Sequence, residues 1–481
     1  MKKRSVLGVV AAGVLVGTFV FGATGCSSES SSAAQPQTEE NAVTAASDEA
    51  SAAVTKEASA EQEEKKETVE NSEEKANVKV YSITRSYGDG EKVCNVVLEF
   101  EDNVDVSGIS EDSFEVVDRT ITGVHTNNEI AATDTNVEGK YVVIDLEIQP
   151  ATLNDQYATD GRPVHDVPIE DSKVIIKKDV SLSNGTLIAA GDAVYETDAG
   201  DGGIMGNDAI KTLDLDKFED NHFYNDPLTG TVLHYNLYKP EGYEESGEKY
   251  PLVLFIPDAG AVSSDWERVI NQGNGGTVWA QDDWQAENPC FIVTMIYEDK
   301  YINDYWEYYD GYLYGTINLL KQLIQDYPID DNRVYSTGQS MGCMATMVMM
   351  REEPGLIDAG YLMAGQWDPE DIKDIYNENI LFLVSEDDPA DGKLTADEEM
   401  WKSMGAVTAD SKISVLNTEE ERAQIVENLV SQEANMYFLR IASGEGSLNG
   451  DGSAANGSHR MTWRLGYDLP GVKEWLFSQG K

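Results

Sequence analysis

The chain has 481 residues, too many for one ordinary core, so two domains with additional segments are expected. Its 87 acidic against 35 basic side chains give a formal charge of −52, which excludes a nucleic-acid partner because no basic patch offsets such a field. Four cysteines and five histidines, widely scattered, supply neither a disulfide framework nor a CxxC or HExxH spacing, so no metal or cofactor chemistry is expected.

The N-terminus reads as an export signal over residues 1–25: Lys2-Lys3-Arg4, then an uncharged apolar run from Val6 to Phe21 that is short for a transmembrane span. Ala23-Thr24-Gly25-Cys26 follows and resembles a bacterial lipobox, with Ala23 where leucine is usual. The resemblance implies that Cys26 carries a lipid and that the mature chain is extracytoplasmic, anchored to the cell membrane or secreted. Residues 26–77 are Ser, Ala, Glu, Thr and Lys with almost nothing apolar to bury, the composition of a disordered tether.

From Val78 the texture changes. Val78–Ile83, Val93–Phe100, Phe114–Val117, Tyr141–Leu146 and Val174–Ile176 are short, β-branched and bounded by Gly, Asp and Asn, which predicts an immunoglobulin-like β-sandwich over 78–185. His125 and His165 fall here as loop or surface histidines. Residues 186–227, rich in Gly and Asp, read as a crossover between domains. Over 228–481 apolar strands (Tyr250–Ile256, Phe291–Ile296, Ala359–Met363, Ile380–Val384) alternate with helical patterns such as Tyr312–Tyr327. That alternation predicts a mainly parallel sheet with helices on both faces. The aromatic run from Tyr301 to Tyr314 reads first as packing, with a substrate platform as the alternative. Residues 393–433 form an insertion between late strands, expected to be a lid or a solvated excursion.

Chemistry concentrates at Gly338-Gln339-Ser340-Met341-Gly342. A strand-like run, Arg333–Thr337, leads in and a helix-like run from Cys343 to Met350 leads out, the context of a nucleophile elbow. Serine needs a base, and the base needs an orienting carboxylate. In the α/β-hydrolase order the acid and then the histidine follow the serine. His459, in Asn456-Gly457-Ser458-His459-Arg460, is the one histidine after Ser340. The acid belongs on the loop after Ile380–Val384, where Glu386, Asp387, Asp388 and Asp391 are equivalent on spacing alone.

Three stretches carry a further resemblance: Asp331 to Gly342, then Val278-Trp279-Ala280 with Asn288-Pro289-Cys290-Phe291, and the ending in which His459 precedes Tyr467-Asp468-Leu469-Pro470 and Glu474–Ser478. From about Thr229 to Ser478 the chain resembles the secreted esterases of the polyhydroxybutyrate depolymerase-like and feruloyl-esterase-like α/β-hydrolase family, some of which carry an N-terminal immunoglobulin-like domain. The resemblance implies the α/β-hydrolase fold, a serine esterase acting on a small or polysaccharide-linked ester, and aspartate directly before proline as the acid, which selects Asp388. It also implies an oxyanion hole of two backbone N–H groups, Met341 and a residue after Ile256. There the family usually has His-Gly, whereas this chain reads Pro257-Asp258-Ala259-Gly260. Ala259 is then the partner of Met341, provided that the Asp258 carboxylate points away from the developing charge. Two other readings remain open at this stage: a peptidase of the prolyl-oligopeptidase type, and a non-catalytic glycan-binding lipoprotein with a vestigial hydrolase fold.

Overall fold

The computed structural model describes residues 76–88, 90–148, 172–191, 193–197, 199–200, 204–205, 210–261, 269–270, 272–303, 305–449, 451–456 and 459–480. The export signal, Cys26, His165 and all of the tether but its last two residues lie outside them. No helix among the described residues is long and apolar enough to cross a membrane.

Strands β1 (Lys79–Tyr87), β2 (Gly90–Glu99), β3 (Phe114–Val116), β4 (Ile121–Asn127), β5 (Tyr141–Leu146) and β6 (Lys173–Ile176) open the sandwich. After them come the small pair β7 (Val180–Ser181) and β8 (Leu187–Ile188), then β9 (Val194–Glu196), the pair β10 (Ala199–Gly200) and β11 (Ile204–Met205), and β12 (Ile210–Thr212). One sheet has the order β12-β1-β2-β5-β4 and the other β3-β6-β9. The two-residue period of a strand sorts the side chains. Val96, Leu98, Val142 and Ile144 meet Phe114, Val116, Val174 and Ile176 between the sheets, while Val97 and Val143 turn to the opposite face with Ile83. The sandwich therefore runs on past the expected boundary at 185, since β9 pairs with β6 and β12 pairs in parallel with β1. Each is only three residues long and sits among Gly and Asp, too short for a periodic signal. His125 is a strand residue rather than a loop one, its Nε2 3.1 Å from Asp145 Oδ2.

The second sheet has nine strands: β13 (Glu219–Asn225), β14 (Val232–Tyr238), β15 (Tyr250–Ile256), β16 (Phe291–Ile296), β17 (Ile329–Gln339), β18 (Ala359–Met363), β19 (Asn379–Ser385), β20 (Thr408–Ile413) and β21 (Met436–Ile441). Their order is β13-β14-β16-β15-β17-β18-β19-β21-β20, with antiparallel pairing only between β13 and β14 and between β14 and β16. Pro251 cannot donate to a ladder, and it sits at a register shift where β15 meets β17.

Helices α1 (Asp310–Asp326), α2 (Met341–Glu352) and α3 (Pro389–Met404) pack on one face with Leu252, Leu254 and Ile256. On the other face α4 (Glu419–Val430), α5 (Met461–Gly466) and α6 (Val472–Ser478) cover Val253 and Phe255. Residues 393–433 do not form a lid: they complete α3, add β20 as the sheet's edge and cover it with Val426 and Leu429 of α4. An edge strand buries one face only, so Thr-Ala-Asp-Ser-Lys-Ile, with Ala409 and Ile413 inward, carried too few apolar residues to be read as a strand. Because β15, β17 and β19 are parallel, the loops leaving their C-terminal ends gather along one edge. The strand order reverses between β15 and β17, which opens a crevice there.

Candidate active site

β17 ends at Gln339 and α2 begins at Met341, so the chain reverses within one residue. Ser340 absorbs that turn at φ 52°, ψ −112°, a conformation that costs a non-glycine residue roughly 1–3 kcal/mol. It is held by its own N–H donating to the Met363 carbonyl at 2.9 Å and its carbonyl accepting from Met344 N–H at 3.0 Å. The glycines on either side answer to close approach. A Cβ on Gly338 would lie 2.6 Å from the Gly342 carbonyl carbon, and one on Gly342 would lie 1.9 Å from the Ile256 oxygen.

The four carboxylates after β19 separate by what they hold. Glu386 pairs with Lys412 and accepts from Ser443 N–H. Asp387 takes the Ser443 hydroxyl at 2.7 Å and Gly444 N–H at 2.8 Å. Asp391 pairs with Arg440 Nε at 2.8 Å. Asp388, with a side chain 3% exposed, is the N-cap of α3: its Oδ1 accepts from Ala390 N–H at 2.9 Å, with Pro389 at the first helical position. Its Oδ2 lies 2.6 Å from His459 Nδ1.

His459 stands just before α5, its ring edge-on to Trp463 with centroids 5.2 Å apart. Its Nε2 lies 2.8 Å from Ser340 Oγ. A carboxylate only accepts, so the Nδ1 proton faces Asp388 and Nε2 is left to accept from the serine hydroxyl. The structure thus brings together Ser340, Asp388 and His459, drawn from three loops at the same sheet edge. The arrangement can withdraw a proton from Ser340 and keep the resulting imidazolium next to a buried carboxylate.

Met341 is the first residue of α2, where helix geometry leaves its N–H without an intrahelical partner. Across the crevice the Asp258 carboxylate is turned into its own loop. Its Oδ1 accepts from Gly260 N–H at 2.7 Å, Ala261 N–H at 2.9 Å and Gln272 Nε2 at 2.6 Å. Sequence reasoning did not find Gln272, which lies in a short turn with no motif around it, and gave Gln339 no role of its own. The aromatic run is chiefly packing: Tyr301 and Tyr312 meet edge-on and both lie tilted against Tyr297, while Tyr305 stands 82% exposed. Among the described residues no group of three or more His, Cys, Asp or Glu is placed to hold a metal ion.

Residues 79–189 match the family model described as the esterase Ig-like N-terminal domain. Among solved structures, a thermostable esterase is 24% identical, with the alignment covering 84% of this chain and 100% of that chain at a TM-score of 0.59. This likeness shows the fold, an immunoglobulin-like sandwich followed by an α/β-hydrolase domain. A ferulic acid esterase (13% identical, 54% of this chain and 99% of that chain, TM-score 0.36) is a weaker likeness that carries no weight. The same holds for a feruloyl esterase module from Clostridium thermocellum complexed with sinapinate (13%, 52% and 86%, 0.36). Among curated proteins none matches the chain.

Proposed function

We propose that the protein is an extracytoplasmic serine esterase that hydrolyses carboxylic esters through an acyl-enzyme. The observation that carries this reading is the continuous series Ser340 Oγ to His459 Nε2 at 2.8 Å and His459 Nδ1 to Asp388 Oδ2 at 2.6 Å, headed by a strained serine. His459 takes the hydroxyl proton as Ser340 Oγ attacks the ester carbonyl, and Asp388 holds the imidazole in the required tautomer. The oxygen that gains charge is received by the N–H groups of Met341 and Ala259. When the tetrahedral species collapses, the C–O bond to the alcohol breaks and His459 returns its proton to the leaving oxygen. Water, deprotonated by the same imidazole, then attacks the acyl-serine and releases the acid. The inward turn of Asp258 answers the chief argument for a vestigial fold, a carboxylate facing the developing oxyanion.

The substrate in this reading is a small-molecule or polysaccharide-linked ester, met outside the cytoplasm by an enzyme tethered through a lipid on Cys26. Ser340→Ala tests the chemistry. Turnover of a p-nitrophenyl butyrate solution is expected to fall by orders of magnitude, about a millionfold where triad behaviour transfers. Labelling by a fluorophosphonate probe is expected to vanish. Near-wild-type hydrolysis by the variant would end this reading.

A further inference from the structure

We infer that Gln272 is a positioning residue that fixes the separation of the two oxyanion donors by bolting the Asp258 loop to the nucleophile elbow; the inference rests on the esterase reading above. Its one amide makes bonds in both directions. Oε1 accepts from Asp258 N–H at 2.9 Å and from Gln339 Nε2 at 2.8 Å, while Nε2 donates to Asp258 Oδ1 at 2.6 Å. Asp258, Gln272 and Gln339 are all buried, at 4%, 5% and 0% exposure, so water does not compete for these bonds. Gln339 immediately precedes Ser340, and Asp258 immediately precedes Ala259. The donors on the two sides of the crevice are therefore joined by a short path of side-chain bonds as well as by the sheet.

The lock also sets which way Ala259 faces. Asp258 Oδ1 gathers the amides of Gly260 and Ala261, and the Asp258 carbonyl turns inward as well, accepting from Ala261 N–H at 3.3 Å. In a trans peptide the C=O and the following N–H point in opposite directions. The Ala259 N–H is thereby directed out of the turn, and among the described residues it meets no acceptor. Asp258 thus does by side chain what a tight glycine turn would do by backbone freedom, and Gln272 spreads its charge over a third donor. Only an amide supplies both functions at this place. Glutamate would set two carboxylates face to face, and asparagine is one methylene short.

The test uses Gln272→Met, which keeps the volume and removes the bonds, and Gln339→Met, which cuts only the elbow side. With p-nitrophenyl butyrate both are expected to lose kcat by tenfold to about a thousandfold, the range for a misplaced oxyanion donor, with KM nearly unchanged. A trifluoromethyl ketone, which binds as a tetrahedral oxyanion on Ser340, is expected to weaken by the same factor as kcat/KM, a proportionality that mere loosening of the fold would not produce. Asp258→Asn keeps an acceptor oxygen and is expected to retain turnover, whereas Asp258→Ala falls with Gln272→Met. Combining these last two costs no more than the worse single change, since both open one lock. If Gln272→Met does not fold, Gln339→Met must still show the kcat-only loss. Unchanged kcat, a loss confined to KM, or additive losses would each overturn the positioning role. A wild-type protein that neither turns over the ester nor reacts with a fluorophosphonate would overturn the esterase reading instead.

Discussion

Replacing Asp388 with asparagine separates two jobs that one carboxylate performs. Its Oδ1 caps α3 through Ala390 N–H at 2.9 Å, and its Oδ2 takes the Nδ1 proton of His459 at 2.6 Å. In Asp388→Asn the amide oxygen keeps the cap, because the Ala390 N–H donates and only the oxygen of the amide can accept from it. The amide NH₂ is then aimed at His459 Nδ1, which must become an acceptor. The imidazole proton moves to Nε2, and the Ser340 hydroxyl loses its base at 2.8 Å. A wrong tautomer of this kind costs about ten thousandfold in kcat, or ~5 kcal/mol of transition-state stabilisation. Stability should hardly change, since asparagine and aspartate cap helices about equally well. The assay is steady-state hydrolysis of p-nitrophenyl butyrate beside a urea melt. Asp387→Asn is the control, because Asp387 accepts from Ser443 and Gly444 while His459 Nδ1 faces Asp388. Turnover of Asp388→Asn within tenfold of wild type, or a large loss in Asp387→Asn instead, would refute the assignment.

Gly342→Ala puts a Cβ 1.9 Å from the Ile256 carbonyl oxygen, a backbone atom that cannot step aside. Urea unfolding is expected to show a loss at or above about 3 kcal/mol, the upper end of ordinary overpacking. Burial pushes the Asp397 carboxyl up to about 8, so the folded protein binds that proton more tightly than the unfolded chain does. Its contribution is complete below the unfolded value and is lost as pH rises through about 8, on the order of a few kcal/mol over that window. Asp397→Asn is expected to flatten the stability profile between pH 5 and pH 9, measured by urea melts, and a parallel profile would refute the shift. Cys26→Ser is expected to move the protein from the detergent phase to the aqueous phase on Triton X-114 partition, and detergent-phase retention would remove the lipid from the proposal.

The parts of this molecule that were legible in its sequence are those in which local pattern and tertiary need coincide. β15 is buried on both faces, so it reads as an unbroken apolar run, and the elbow announces itself because Gly338 and Gly342 answer to two backbone contacts. Ser340 and His459 were anticipated from chain order, and Asp388 from the family resemblance that sets aspartate directly before proline. The direction of Asp258 was not, because besides the Gly260 and Ala261 amides of its own turn it is held by Gln272, 14 residues on, which Gln339 binds in turn across the crevice. The tetrapeptide Pro257-Asp258-Ala259-Gly260 carries no motif that announces such a turn. The lid expected over 393–433 failed for a related reason. An edge strand such as β20 buries one face, so its composition resembles that of a surface excursion.

The segment that joins the sandwich to the hydrolase sheet is a seam with a side in each body. β12 completes the first sheet beside β1, and three residues further on Leu215, with Phe218, belongs to the apolar cluster that holds Trp279 and Tyr238. Between them the buried Asp214 accepts from Ser86 N–H at 3.0 Å. At the tip of the β1–β2 hairpin, Gly88 lies so close to Arg464 of α5 that a Cβ would sit 2.0 Å from its carbonyl oxygen. With these contacts between the sandwich and the hydrolase sheet, heat is expected to melt both in a single cooperative step, and two resolved transitions in calorimetry would refute it. The tip of the β1–β2 hairpin thus rests on the helix that begins two residues after His459.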